Sequence, residues 1–182
     1  AKYLDELRQE IQYSGEGILV LDGGNFFQGS PLGLADDGNT MIEWMNRIGY
    51  DGLVPGSYDF ISGAKNLNEL SNISTFPFLF SNLICSSCPL VSVNIKPYFI
   101  REISGVKVGV LGVVNSQLSE LALAENLSGT DADKEVLNIR KWVPEMKAEG
   151  AELIIILTSS GVPWDREEEY EKFIDQVKSG AI

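Results

Sequence analysis

The sequence has no histidine among its 182 residues. Imidazole is the commonest protein metal ligand and the side chain that titrates unperturbed near neutrality, so proton shuttling or metal binding here must rest on other groups. Positive charge is scarce as well: 14 Lys and Arg stand against 26 Asp and Glu, a formal net charge of −12. Such a surface repels phosphate backbones, which argues against nucleic-acid polymers and anionic membranes as partners and leaves room for a small anion held at one place. No apolar run reaches the roughly 18 residues that a membrane-spanning helix needs, and no basic segment followed by an apolar stretch opens the sequence. Cysteine is limited to Cys85 and Cys88.

What is present is a chain with 44% hydrophobic residues, long enough to bury one sizeable core, and a single domain over 1–182 is expected. Apolar strands alternate with amphipathic helical stretches, the pattern of an α/β fold with a largely parallel sheet. The spacing of Tyr3, Leu4, Leu7 and Ile11 predicts an opening helix, followed by the strand GILVLD. A helix over MIEWMNRIG would bury Met41, Trp44, Met45 and Ile48, with Asn39 or Thr40 as its cap. The strand GLVP, a helix over 64–70, and the strands FPFLFSNLI, KPYFIREISG and VKVGVLGVV follow, the last two joined as a hairpin at Ser104 and Gly105. Asp131 or Asp133 is expected to start a long helix ending near Glu149. The strand ELIIILTSS and a helix with Pro163 in its first turn complete the pattern, and one mixed sheet is expected to hold the main strands.

Polar or glycine-rich loops follow strands at 23–30, 56–60 and 158–161. In open parallel sheets ligands bind outside the strand carboxyl ends, so these loops outline a crevice with Gly24, Gln28, Gly29 and Ser30 at its edge. Taken singly, each loop reads more simply as a plain chain reversal, since short glycine-containing strand-to-helix turns are common.

Four segments, in order, carry a resemblance. LVLDGGNFFQGSPLG resembles the phrase in which Leu-Asp-Ala-Gly-Asp leads into Gln-Gly-Ser in 5'-nucleotidases of the calcineurin-like metallophosphoesterase superfamily. MIEWMNRIGYDGLVPGSYDF resembles the stretch ending in Gly-Asn-His-Glu-Phe, GVKVGVLGVVN the middle strand, and MKAEGAELIIILTSSG the strand ending in Ser-His-x-Gly. The resemblance implies a layered α/β/β/α sandwich with two stacked sheets, present as an incomplete domain. The family's first strand would precede Ala1 and its final metal-binding segment would follow Ile182.

Residue by residue, the resemblance places Asn25 where an aspartate bridges two divalent metal ions, Ser57 at an asparagine ligand and Ser159 at a histidine ligand. Tyr58 falls on the histidine that stabilises the leaving oxygen, and Asp59 on the glutamate. A bridging position needs a carboxylate, because an oxygen for each cation must also bring negative charge between them. The expected reading is therefore a nucleotidase-like domain with impaired hydrolysis and no metal cofactor of its own. The implied partners are a small phosphorylated ligand and segments of the same protein outside this chain, in an exported or periplasmic setting.

Cys85 and Cys88 carry a second signal. Their C-x-x-C spacing suits a small disulfide ring, a redox pair or half of a zinc or iron–sulfur site, and neither further cysteine nor histidine is there to complete the last. An exposed loop between two strands, with the thiols bonded or poised to bond and not buried in the core, is expected. The alternative function is accordingly a non-hydrolytic ligand-binding or thiol-redox protein. Gly105, Gly109 and Gly112 do not match the dinucleotide fingerprint, and Ser30, Ser57 and Ser159 have no histidine base to make a nucleophile. Asn72 and Asn126 begin glycosylation sequons, and the acidic run 165–169 reads as a solvated helix start.

Overall fold

The computed structural model describes residues 2–29, 31–161 and 167–179; Ser30 and the predicted helix start at Pro163 lie outside the described residues. The chain begins with α1 (Lys2–Ser14) and β1 (Leu21–Asp22), then α2 (Pro31–Leu34), α3 (Asn39–Ile48) and β2 (Gly52–Leu53). A single 3₁₀ turn, Ser57–Phe60, leads into α4 (Gly63–Ile73), and β3 (Phe78–Leu79), β4 (Leu83–Cys85) and β5 (Ile95–Lys96) follow. The second half holds β6 (Tyr98–Ile103), β7 (Val106–Val113), α5 (Leu118–Leu121), α6 (Ala124–Leu127), β8 (Thr130–Ala132), α7 (Glu135–Ala148), β9 (Leu153–Thr158) and α8 (Glu167–Ser179).

The main strands form two sheets, which corrects the expectation of one mixed sheet. The first is parallel, in the order β1-β2-β3-β5; the second, β6-β7-β9, pairs β6 antiparallel and β9 parallel to β7. The segment KPYFIREI crosses between them. Pro97 sits between β5 and β6 and has no N–H to extend either ladder, so the strand breaks there and its carbonyl accepts the N–H of Gly112 at 3.2 Å in the other sheet. Gly112 lies so close to Leu79 of β3 that a Cβ would collide with it, so the absence of a side chain lets the sheets approach.

Each layer has its own apolar filling. Ile42 and Met45 of α3 and Leu67 and Leu70 of α4 pack with Phe27, Leu53, Phe76 and Phe78 against the first sheet. Leu79, Val108 and Val110, flanked by Leu21, Phe99 and Ile155, fill the space between sheets. Leu111, Val113 and Met146, with Trp142, join the second sheet to α7. The order helices, sheet, sheet, helix is the α/β/β/α sandwich. At about 25 cal/mol per Å² of apolar surface removed from water, these fillings supply the main drive for folding.

Several local expectations are corrected. The buried stripe of α3 is Ile42, Met45 and Ile48; Trp44 is 42% exposed and meets Tyr50 at the rim, with ring centroids 6.1 Å apart. Neither Asn39 nor Thr40 caps that helix: the Asp36 carboxylate accepts both the N–H and the hydroxyl of Thr40, at 2.9 and 2.6 Å. Asp131 belongs to β8, opposite Ile84, and Asp133 accepts the N–H of Lys134 just before α7. Among the described residues no helix is long and apolar enough to cross a membrane.

Candidate functional site

The loops after β1 and β2 are locked to each other by backbone geometry. Gly24 has φ +91° and packs so tightly on Val54 and Gly56 that a Cβ would overlap their backbone atoms. Asn25 follows at φ +60°, a left-handed conformation that asparagine tolerates better than most residues. Its side-chain Oδ1 accepts the N–H of Tyr58 at 3.1 Å, and it occupies the space a side chain on Gly56 would need.

Asp59 closes the arrangement from beneath. Its Oδ2 accepts the N–H groups of Asn25 and Gly56 at 2.7 and 2.8 Å, and its Oδ1 accepts that of Phe26 at 2.9 Å. The residue is fully buried, and burial pushes its carboxyl up to about 7 against the opposing pull of those three donors, with the charge of Asp22 adding to the rise. Asp22, at the end of β1, is also raised by burial, although its Oδ1 accepts the N–H of Gly24 at 2.8 Å. Burial, and then the charge of Asp22, raises the phenol of Tyr50.

The third loop approaches from the other sheet. A Cβ on Gly23 would stand 3.9 Å from the carbonyl oxygen of Thr158, so the first loop abuts the end of β9. Ser159 follows directly; its Oγ accepts the N–H of Asn115 at 3.2 Å. The loops carrying Asn25, Ser57 and Ser159 thus meet at one end of the stacked sheets. Tyr58 is 57% exposed, whereas its neighbour Asp59 is sealed from solvent.

Beside Tyr58 lies a hollow of about 210 Å³, lined in part by Gln28, Ser57, Ile61, Leu121 and Leu123. The segment around α5 and α6 is held there by Asn126, whose Nδ2 donates to the carbonyl of Ile61 at 3.0 Å. The sequence showed Asn126 only as part of a sequon, and nothing in its local pattern points to Ile61, 65 positions away. Gly29 turns at φ +91° in the same loop as Gln28, and Ser30 lies outside the described residues.

Cys85 and Cys88 are placed elsewhere, at the end of β4 in the antiparallel β4–β8 pair, and are bonded to each other. Cys85 is exposed as expected, but Cys88 is 6% exposed and belongs to the main core cluster, which corrects the expectation that the pair stays out of the core. The turn back from Cys85 to Pro89 carries the second sulfur inward.

No protein-family model matches the chain. A 5'-nucleotidase of Vibrio cholerae is 27% identical over 159 residues, 87% of this chain. A 2',3'-cyclic-nucleotide 2'-phosphodiesterase/3'-nucleotidase of Salmonella typhimurium is 29% identical over 185 residues, 91% of this chain. The calcineurin-like phosphoesterase YfkN of Bacillus subtilis, a solved structure, superposes with a TM-score of 0.69 at 25% identity, over 87% of this chain and 53% of that one. Over most of its length the chain is similar to 5'-nucleotidases and to calcineurin-like phosphoesterases. It is a nucleotide-phosphoesterase-like domain that spans 28% of the length of the Vibrio cholerae relative and 27% of the Salmonella one. Among the described residues no group of three or more Cys, Asp or Glu side chains is placed to hold a metal ion.

Proposed function

We propose that this chain is a nucleotidase-like domain that retains the family's strand-end crevice but does not perform two-metal hydrolysis by itself. The observation that carries this reading is how the oxygens at the matched positions are used. Asn25 Oδ1 accepts the Tyr58 N–H, both Asp59 oxygens accept backbone N–H groups, and Ser159 Oγ accepts the Asn115 N–H. A pair of divalent cations needs several anionic or imidazole donors turned toward a common point. These neutral oxygens, with one sealed carboxylate, do not fit that pair.

The same loops define the role we assign to the crevice, which is binding. Residues 23–30, 56–60 and 158–161 contain no Lys or Arg, while Asp22 and Asp59 sit close by. A small phosphorylated ligand therefore needs a cation or basic groups supplied from outside these three loops. An exported location agrees with the disulfide, which persists in oxidising compartments.

The test is phosphate release from AMP and from p-nitrophenyl phosphate by this chain with added Mn²⁺ or Zn²⁺, beside elemental analysis of the dialysed protein. Background release and no stoichiometric metal are expected. Metal-dependent turnover abolished by EDTA would overturn the reading.

A further inference from the structure

The Cys85–Cys88 disulfide has no part in the function proposed above, and its two ends have different surroundings. Cys85 ends β4 at the surface, while Cys88 is buried in the core cluster that also contains Leu90, Leu127 and Ala132. Between them Ser87 lies at φ +64°, a left-handed backbone uncommon for a serine. Directly opposite Cys85 in the β4–β8 register stands Thr130, 3% exposed, whose Oγ1 has no hydrogen-bond partner among the described residues. Opposed residues of an antiparallel pair project to the same face, so this spare hydroxyl lies on the side of the Cys85 sulfur. A buried hydroxyl without a partner is costly and calls for an explanation.

We propose that Cys85–Cys88 is a thiol–disulfide exchange site for an external dithiol, with Cys85 the sulfur attacked and Thr130 the donor that receives the released Cys85 thiolate. One thiolate of the dithiol attacks Cys85 Sγ; a mixed disulfide forms as the Cys85–Cys88 bond breaks, and Cys88 Sγ leaves with the bonding pair and takes a proton. The second thiolate of the partner then attacks its own sulfur in the mixed disulfide and expels Cys85 Sγ with its electron pair. The partner departs as a disulfide, having lost two electrons, and the two cysteines have gained them; the partner's two protons pass to the cysteine sulfurs or to solvent. Core packing around Cys88 directs the incoming thiolate to Cys85, and the freed thiolate gives Thr130 Oγ1–H the acceptor it lacks in the bonded state.

The experiment treats the native chain with dithiothreitol, blocks free thiols with iodoacetamide and locates the label by peptide mass spectrometry, with circular dichroism recording the fold. Reduction without unfolding is expected; a disulfide reduced only in denaturant would overturn the proposal. With glutathione in place of the dithiol, the trapped mixed disulfide should sit on Cys85, and a majority on Cys88 would reverse the assignment. Among single variants, the thiol left in Cys88→Ser should react with Ellman's reagent at least about tenfold faster than that in Cys85→Ser, as expected for an exposed against a buried thiol. If either variant fails to fold, the glutathione trap on the native chain decides the same point. In the Cys88→Ser background, Thr130→Val should move the pH midpoint of alkylation upward, and an unmoved midpoint would remove Thr130 from the mechanism.

Discussion

Asp59 accepts the backbone N–H of Asn25 at 2.7 Å, and Asn25 in turn accepts the N–H of Tyr58, the residue before Asp59, at 3.1 Å. Two loops from neighbouring parallel strands are thereby closed into one unit. The Asp59 carboxylate and the Asn25 amide serve here as ties between backbones. The variants below test this arrangement by changing one tie at a time.

Replacing Asp59 should show how much the loops depend on it. Asp59→Ala leaves the N–H groups of Asn25, Phe26 and Gly56 without their acceptor in a sealed site, and each such group costs about 1–3 kcal/mol. A loss of at least about 3 kcal/mol is expected, read as a lowered urea midpoint with unchanged slope. Asp59→Asn keeps one oxygen and turns an NH₂ toward donors, so it should fall between Asp59→Ala and the natural chain.

The pH dependence follows from the sign of the shift. Asp59 is raised from 3.8 to about 7 mainly by burial, so the folded chain holds this proton where the unfolded chain has released it. Its contribution to stability is fully present below about pH 4 and is lost as pH rises through 7. Asp22 shifts in the same direction. Unfolding free energies measured between pH 4 and 8 should therefore decline more steeply for the natural chain than for Asp59→Asn. The cost of Asp59→Asn should shrink toward pH 8, and parallel curves would contradict the assignment of this titration to Asp59.

The alternation of apolar strands with amphipathic helices was legible because periods of 2 and 3.6 are local properties of the chain. The split into two sheets was not, because it turns on where Pro97 directs its carbonyl and on how closely Gly112 approaches Leu79. The stripe of α3 is ambiguous in the sequence because Met45 and Ile48 belong to both candidate faces, and only burial in the cluster that holds Phe27 and Leu70 selects Ile42 over Trp44. At the site, the residue types at positions 25, 57, 58, 59 and 159 could be read directly. The burial of Asp59 and the bond from Asn126 to Ile61 depend on chain crossings that no local pattern encodes.

Gly112→Ala tests the sheet-to-sheet contact. The added methyl would overlap the side chain and carbonyl region of Leu79, in the middle of the layer that also buries Val108 and Val110. Forcing extra volume into a close-packed layer costs about 1–3 kcal/mol, which for a domain of this size lowers Tm by several degrees. Gly105→Ala is the contrasting case. A Cβ there meets nothing within 4 Å, but φ is +83°, so its smaller cost would come from backbone strain at the hairpin alone.

Asn25→Asp places a carboxylate at the position that the sequence resemblance aligns with a bridging aspartate. The backbone at φ +60° accepts aspartate, and its Oδ1 can keep the bond from the Tyr58 N–H, so the fold should survive. The new charge stands near the carboxyls of Asp22 and Asp59, and a like charge disfavours ionisation, so the variant should lose stability relative to the natural chain as pH rises. Ser57, Tyr58 and Ser159 would still offer no imidazole and no further carboxylate toward a cation pair. Isothermal titration with Mn²⁺ should accordingly show no two-site binding, and AMP should not be hydrolysed above background. Mn²⁺-dependent release of phosphate by this single variant would mean that the bridging carboxylate alone separates the chain from catalysis, and that the remaining ligand positions are less depleted than their bonding shows.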